Sequence, residues 1–248
     1  MRLDEYLVKH SDVRSRSKAK DLVDRGLVTV DGRLATKAGM RVSEPIIKIR
    51  DENEFVSRSG QKLLRVLLDY RIDLCDKTVI DVGSSTGGFT DCALRHGAKR
   101  VYAYDVGKDQ MDATLRKDPR VVLSEGTNIL TVDLPAADYI LIDVSFTSIQ
   151  PILTHIREHS ARVIALIKPQ FEAGPITFKG GVLKDLGMHE RIVKRICRYA
   201  IELGYRINGL SRAGIKGKSG NQEYVLLLDR DYTKESLDIE RRIGEIVC

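Results

Sequence analysis

A doubly wound α/β sheet, preceded by a small α+β module, is the fold this sequence predicts, and three observations predict it. From about residue 61, short apolar runs alternate with helical patterns: TVIDV at 78–82, VYAYD at 101–105, YILIDV at 139–144 and RVIALI at 162–167. Nearly continuous apolar runs suit strands buried on both faces of a parallel sheet, and strand–helix alternation builds such a sheet. The first run leads straight into the glycine-rich stretch DVGSSTGGFTD, 81–91. Composition and periodicity both change across the polar stretch DENEFVSRSG, 51–60. It reads as a linker between a domain at 1–50 and another at 61–248.

The elements follow in order. Leu3, Tyr6 and Leu7 share one helical face, and Ala19, Leu22 and Val23 share a second. Ser15 or Ser17 is placed to cap the second helix and Gly26 to end it. LVTVDGRLATKAG reads as a hairpin turning at Asp31-Gly32, with Val42, Ile47 and Ile49 as further strand. Beyond the linker, Leu63, Leu64, Leu67 and Leu68 mark a helix ending near Tyr70, with Lys62 off that stripe. After strand 78–82 comes a helix through Cys92–His96, closed by Gly97, then strands at 101–105 and 121–123. The runs at 139–144 and 162–167 precede a helix over Glu190–Leu203 that turns Ile192, Val193, Ile196 and Ala200 to one side. Strands at 205–215 and 222–229 are close enough in sequence to pair antiparallel.

The bulk properties exclude several classes. Hydrophobic residues are 42% and charged residues 31% of 248, an ordinary globular balance. No apolar run approaches the roughly 20 residues that span a bilayer. Acidic residues interrupt MRLDEYLVKHSD at once, unlike a secretory signal, so a cytoplasmic location is expected. Cys75, Cys92, Cys197 and Cys248 form no C-x-x-C pair and have no histidine at ligand spacing. Reduced thiols and no metal site are expected. Of the net +6, residues 1–50 hold 12 Lys/Arg against 7 Asp/Glu, and the other 198 hold 29 against 28. A polyanion-docking module produces such a surplus, and so does ordinary surface variation. Lys18 and Lys20 flank the stripe of the second helix, with Arg14 and Arg25 farther out, where cations reach phosphates without giving up the core face.

The glycine loop points to a ligand. In an open α/β sheet, ligands sit at the carboxyl ends of the strands, and glycines there let a ligand approach the backbone. Asp105 ends the second strand, 22 residues after Gly83, where a carboxylate accepts ribose hydroxyls. Read as a dinucleotide fingerprint, the loop is Gly83, Ser85, Gly88, with serine where a pyrophosphate needs glycine. Read as acidic-x-Gly-x-Gly-x-Gly it is Asp81, Gly83, Ser85 and Gly87. A carboxylate at its head suits the cationic tail of S-adenosylmethionine and repels a pyrophosphate. The Rossmann-like sheet is therefore expected to hold S-adenosylmethionine. Asn128, in EGTNIL, falls where adenine contacts occur, or it is a turn asparagine.

Charged residues at strand ends of an apolar sheet are costly to bury. Asp143 and Lys168 end two strands on the edge of the glycine loop, Glu223 opens the last strand, and Lys62 opens the helix before the first. Gly214–Asn221, GIKGKSGN, is a basic loop just before Glu223 that either clamps RNA or is simply solvated. The five histidines show no ligand or catalytic spacing.

Two resemblances follow from these stretches. Arg2-Leu3-Asp4, Ser15-Arg16 and Gly26 through Gly32 resemble the S4-type RNA-binding domain, with Asp31 in place of its usual asparagine. That likeness implies binding of structured RNA through the helix pair, with Arg2, Ser15 and Arg16 in the contact. Lys62, Asp143, Lys168 and Glu223 resemble the Lys-Asp-Lys-Glu tetrad of FtsJ/RrmJ-like ribose 2′-O-methyltransferases. SRSGQKL, DVGSSTGGFTD, DVSF, KPQFE, KGG and GNQEY, in that order, make the whole chain resemble the TlyA family of ribosomal RNA methyltransferases. In that family an aromatic often stands near the domain junction, and Phe55 takes the place here.

The resemblance implies methyl transfer from S-adenosylmethionine to a ribose 2′-hydroxyl of ribosomal RNA in a ribosomal subunit, without a metal. Lys168 contacts the hydroxyl, Lys62 holds the RNA backbone, and Asp143 and Glu223 orient the lysines. A lysine serves as base once burial or neighbouring cations favour its amine form. Two other classes stay open: a non-catalytic RNA-binding or ribosome-assembly protein that keeps the fold, and a haemolysin, a label the family carries. The chain has no spanning segment and no long amphipathic helix to support membrane lysis.

Overall fold

The computed structural model describes residues 1–24, 27–49, 55–174, 178–217, 219–231 and 237–247, apart from the side chains of Leu34 and Lys179. Arg25 and Gly26, expected to contact RNA and to end the second helix, lie outside the described residues, as do Cys248, Lys218 and the linker positions 51–54. The chain divides into two units, Met1–Glu54 and Phe55–Cys248.

In the first unit, α1 (Leu3–His10) and α2 (Arg16–Asp24) pack beside a sheet of β1 (Val28–Val30), β2 (Arg33–Leu34) and β3 (Ile47–Ile49). Of the two candidate caps Ser15 is used: its Oγ accepts the N–H of Lys18 at 3.1 Å, and Ser17 lies inside the helix. Asp31 and Gly32 have φ of 50° and 77°, the double positive φ that a two-residue hairpin turn demands. β3 pairs antiparallel on the other side of β1. Leu3, Leu7, Ala19, Leu22 and Val28 form the core, which Val42 joins from outside any strand.

The second unit runs α3 (Ser59–Asp69), β4 (Thr78–Val82), α4 (Gly88–Arg95), β5 (Arg100–Asp105), α5 (Ala113–Arg116), β6 (Val121–Glu125), β7 (Tyr139–Ile142) and α6 (Gln150–His155). It continues with β8 (Arg162–Ile167), α7 (Pro169–Glu172), α8 (Leu186–Glu202), β9 (Arg206–Arg212), β10 (Tyr224–Asp229) and α9 (Ile239–Val247). Its sheet has the strand order β6-β5-β4-β7-β8-β10-β9. β4 through β8 pair parallel, while β10 runs antiparallel between β8 and β9. One apolar cluster, with Ile140, Ile142, Val193 and Ile196, and another, with Leu63, Val79, Ala93 and Leu141, cover the sheet. Burial on both faces is why these strands are apolar at nearly every position.

Three expectations shift. Of the stretch expected as a linker, 51–60, residues 55–60 belong to the second unit, and 51–54 lie outside the described residues. Phe55 is buried there beneath the Arg95 guanidinium, and the Val56 N–H bonds the Asp91 carboxylate at 2.8 Å. On α3 the inward stripe is Lys62, Leu63, Val66 and Leu67, with Leu68 exposed, so Lys62 is not off the buried face. α8 begins at Leu186, earlier than 190, because the Asp185 carboxylate accepts the Met188 N–H at 3.0 Å and caps it. Among the described residues, no helix is long and apolar enough to cross a membrane, and no cluster of three His, Cys, Asp or Glu could hold a metal.

Candidate active site

Chain order reverses between β4 and β7, which lie side by side in the sheet. Such a switch point leaves a crevice at the carboxyl ends of the strands. Along that edge, adjacent elements present Asp105, Gly83, Asp143, Lys168 and Glu223 in sequence across the sheet. β7 stops at Ile142, two residues short of the expected run, so Asp143 stands just past the strand end.

The glycine loop is held from both sides. The N–H groups of Gly83 and Ser84 both bond the Tyr104 carbonyl. Gly83 has φ +83°, and a Cβ there would lie 3.0 Å from the Asp143 carbonyl oxygen. Gly87 has φ +93°, and the Gly88 Cα faces the Ser57 and Ser59 hydroxyls so closely that a Cβ would fall about 2 Å from each. All three glycines make room for protein neighbours, Gly87 for Leu115 and Met111, which the expectation of ligand clearance did not include. Ser85 takes a left-handed φ of 46° without being glycine. Its N–H bonds Asp105 Oδ2 at 2.8 Å, which holds it there. Asp105 Oδ1 accepts the Gly107 N–H at 2.7 Å. Each carboxylate oxygen keeps a lone pair for a further donor.

Asp81 is not at the loop surface but inside β4, fully buried. Its Oδ2 accepts the Thr90 hydroxyl at 2.6 Å, and its Oδ1 has no protein partner. Burial, with smaller contributions from Asp143 and Asp105, pushes its carboxyl up to about 7. The buried Ser84 hydroxyl beside the loop also lacks a partner. Buried polar atoms of this kind are few in folded proteins, and two at one loop fit a ligand that brings donors. With Asp105 at the rim, the set suits a molecule carrying a cationic tail and a ribose, as S-adenosylmethionine does. Asn128 is exposed and engaged as a cap: its Oδ1 accepts the Leu130 N–H at 3.1 Å. The turn reading accounts for that contact.

The four charged residues form two ion pairs. Lys168 Nζ lies 2.6 Å from Asp143 Oδ1 and donates to Ser145 Oγ at 3.0 Å. Lys62 Nζ donates to Glu223 Oε2 at 2.6 Å. Both lysines are 8% exposed. The register that pairs Tyr224 with Ile167 brings Glu223 and Lys168 opposite each other one residue farther on, so the pairs share one edge. Isolated charges at this depth would cost several kcal/mol each, and mutual pairing is what makes them tolerable. Lys62 is thus a buried donor engaged by Glu223.

In the first unit, Arg2 and Arg16 are exposed but share one anchor, the buried Asp4 carboxylate, each at 3.0 Å. Arg2 foremost, with Arg16, holds Asp4 down at about 2. Lys20 pairs with Asp24 one turn on. Arg14 and Ser15 are exposed and Lys18 is half-buried.

Sequence reading missed several contributors. Ser145 holds Lys168, and three backbone N–H groups at 109–111 converge on Glu125, whose carboxyl falls to about 2 mainly through Arg116. Buried Asn221 accepts the Leu183 N–H and donates to the Gly181 carbonyl, tying KGG to GNQEY. Buried His189 bridges the Tyr224 hydroxyl and the Leu183 carbonyl, a structural role. The stretches DVSF, GNQEY, KGG and EGTNIL offered the only signal for these.

Residues 55–230 match the FtsJ-like methyltransferase family model, and residues 1–44 match the S4 domain. The chain belongs to the FtsJ-like methyltransferase family. The methyltransferase unit therefore has the fold its alternating runs predicted, and the basic module ahead of it is an S4 domain. Hemolysin A of Brachyspira hyodysenteriae is 38% identical over 91% of this chain and 98% of its own length. The 16S/23S rRNA (cytidine-2'-O)-methyltransferase TlyA of Mycobacterium tuberculosis is 36% identical over 98% of this chain and 97% of its own. A solved structure from Streptococcus thermophilus, provisionally labelled a hemolysin, is 33% identical with a TM-score of 0.77, covering 100% of this chain and 94% of that one. The glycine loop and both ion pairs fall inside the matched methyltransferase span.

Proposed function

We propose that this chain transfers a methyl group from S-adenosylmethionine to a ribose 2′-hydroxyl of ribosomal RNA, docking the RNA through its S4 unit. The observation that carries the reading is the pair of buried lysine–carboxylate contacts, Lys168–Asp143 and Lys62–Glu223, on the edge that bears the glycine loop. The M. tuberculosis and Campylobacter jejuni TlyA relatives, named as cytidine-2'-O-methyltransferases, support it. When bound, S-adenosylmethionine supplies an electrophilic methyl group on a sulfonium. Asp81, Ser84, Ser85 and Asp105 are the residues that would hold it.

A ribose hydroxyl is a weak nucleophile, and the chain's task is to position it and take its proton. As the amine, Lys168 keeps two N–H donors, held by Asp143 (Oδ1 at 2.6 Å, backbone carbonyl at 3.4 Å) and by Ser145 Oγ at 3.0 Å, and its nitrogen lone pair is left for the hydroxyl proton. Lys168 Nζ is the atom that receives the hydroxyl proton, and Asp143 neutralises the ammonium so formed. Lys62–Glu223, one strand over, fixes the neighbouring charge without reorganising, as preorganised electrostatic catalysis requires.

The experiment is incubation of purified protein with ribosomal subunits and labelled S-adenosylmethionine, followed by mapping of the modified nucleotide. Label on a ribose 2′-oxygen is expected. Lys168→Ala should keep RNA and cofactor affinity within a few-fold and lose transfer. No label on either subunit would leave the non-catalytic RNA-binding reading. Leakage of liposomes by the same protein would revive the haemolysin reading.

A further inference from the structure

Glu172 is a buried carboxylate that the methyl-transfer reading does not use. It ends α7, the helix that Lys168 opens as its N-cap. Its side chain is 1% exposed, and it reaches across to the segment after β7. Oε2 accepts the Ser148 hydroxyl at 2.6 Å, and Oε1 accepts the Ile149 N–H at 2.8 Å, just before α6. Ser148 Oγ in turn accepts the Gln150 N–H at 3.1 Å. Arg195, on α8, donates to the Glu172 backbone carbonyl.

Residues 143–149 are thus pinned at both ends by residues 168–172. At one end Lys168 holds Asp143 and Ser145; at the other Glu172 holds Ser148 and Ile149. Between the pins, Phe146 sits with φ +64° and 90% of its surface exposed, its ring 4.9 Å from that of Phe171. Left-handed φ at a bulky residue is costly and persists only where the surroundings impose it. Burying a carboxylate is costly too, and burial pushes the Glu172 carboxyl above its usual range. A fold that needed only packing here would place an apolar side chain.

We infer that Glu172 is a positioning residue for methyl transfer: it clamps residues 143–149 so that Asp143 and Ser145 aim the Lys168 amine at the reacting hydroxyl. This rests on the methyl-transfer reading above. Glu172 touches neither ligand nor the reacting atoms and acts through the loop.

The test uses the full chain and three variants. Glu172→Ala removes both hydrogen bonds. Ser148→Ala removes one. Glu172→Gln keeps both, because its amide oxygen accepts the Ile149 N–H and its NH2 donates to a rotated Ser148 hydroxyl. Misplacement of a reacting group by about 1 Å costs on the order of 100-fold. Glu172→Ala is expected to lose kcat by about that factor, with cofactor Kd and RNA KM within two-fold, Ser148→Ala to lose less, and Glu172→Gln to recover most of it. Amide hydrogen exchange should quicken at 143–149 and not in α8 or the sheet. Unchanged kcat in a folded Glu172→Ala overturns the inference, and so does exchange that quickens throughout the unit. If the unmutated chain methylates no rRNA, the methyl-transfer reading fails. Exchange at 143–149 then still decides the clamp.

Discussion

The fully buried Asp81 makes a quantitative prediction. Its carboxyl rises from an ordinary 3.8 to about 7, first through burial. The folded state therefore keeps a proton that the unfolded chain releases between those two values. By linkage, stability from this group is fully present below 3.8, falls as pH rises through that window, and is lost above about 7. At about 1.4 kcal/mol per pH unit, the full penalty at pH 8 is up to roughly 4 kcal/mol, of which roughly 3 develops between pH 5 and 8. Asp81→Asn is close in shape, its amide oxygen still accepts the Thr90 hydroxyl, and it does not ionise over this range. The variant should match the unmutated chain at pH 4 and be more stable at pH 8. For a unit of this size, at about 2–4 °C per kcal/mol, the Tm difference should grow by roughly 5–10 °C between pH 5 and 8. Circular dichroism melts across that range measure it, and subtracting one curve from the other cancels the titrating groups that do not interact with Asp81. Cofactor binding should move the opposite way. A cationic ligand beside Asp81 favours the carboxylate, so affinity in the unmutated chain should strengthen as pH rises through 7. In Asp81→Asn it should be weaker and flat. Parallel stability curves from pH 5 to 8 would refute the reasoning, since the buried oxygen would then have a partner that neutralises it.

Two further predictions concern paired charges. Lys62→Met leaves Glu223 buried without its cation, at a cost of about 3–5 kcal/mol, whereas Lys62→Met with Glu223→Leu should recover most of that stability and none of the methyl transfer; urea denaturation beside the rRNA assay separates the two. Asp4→Asn removes the anchor that Arg2 and Arg16 share, so rRNA binding should weaken several-fold even though the S4 unit loses a negative charge; filter binding at two salt concentrations checks this, and tighter binding would show that net charge governs. The Asp4 carboxyl, held at about 2, should also support the unit's fold above pH 4 and withdraw that support as pH falls towards 2, a slope that Asp4→Asn removes.

The sheet was legible because its strands are buried on both faces. TVIDV and RVIALI match β4 and β8 residue for residue. The tetrad was legible because charge at a strand end stands out against such runs. The entry of the methyltransferase unit was not, because Phe55 is one aromatic among eight polar or small neighbours and Val56, and its slot is made by Gly60, Arg95 and the α4 helix. Lys62 was misread because a leucine stripe sets the expected inner face, while its ammonium is satisfied by Glu223, 161 residues away. Asp81 looked like a loop head because the pattern gives its position and not its depth. Asp4 looked like part of an RNA-binding motif, and its hold on Arg16, twelve residues on, is a tertiary fact.

The direction of β10 explains why the tetrad needs an antiparallel strand. A parallel sheet delivers side chains to its functional edge only from carboxyl ends, as β5, β7 and β8 do with Asp105, Asp143 and Lys168. A second carboxylate beyond β8 would require another crossover helix if it came from a parallel strand. β10 instead returns antiparallel, so that its amino end lies at the same edge and Glu223 precedes it there. The turn that makes the reversal possible also covers the carboxylate. The Gly217 N–H bonds the Asn221 carbonyl, and a Cβ on Gly217 would fall 2.4 Å from Glu223 Oε1. Backbone lies against one face of that oxygen and the Lys62 ammonium against its partner, so Glu223 is positioned by the reversal itself. The glycine at 217 is therefore part of what builds the site, although it carries no chemistry of its own.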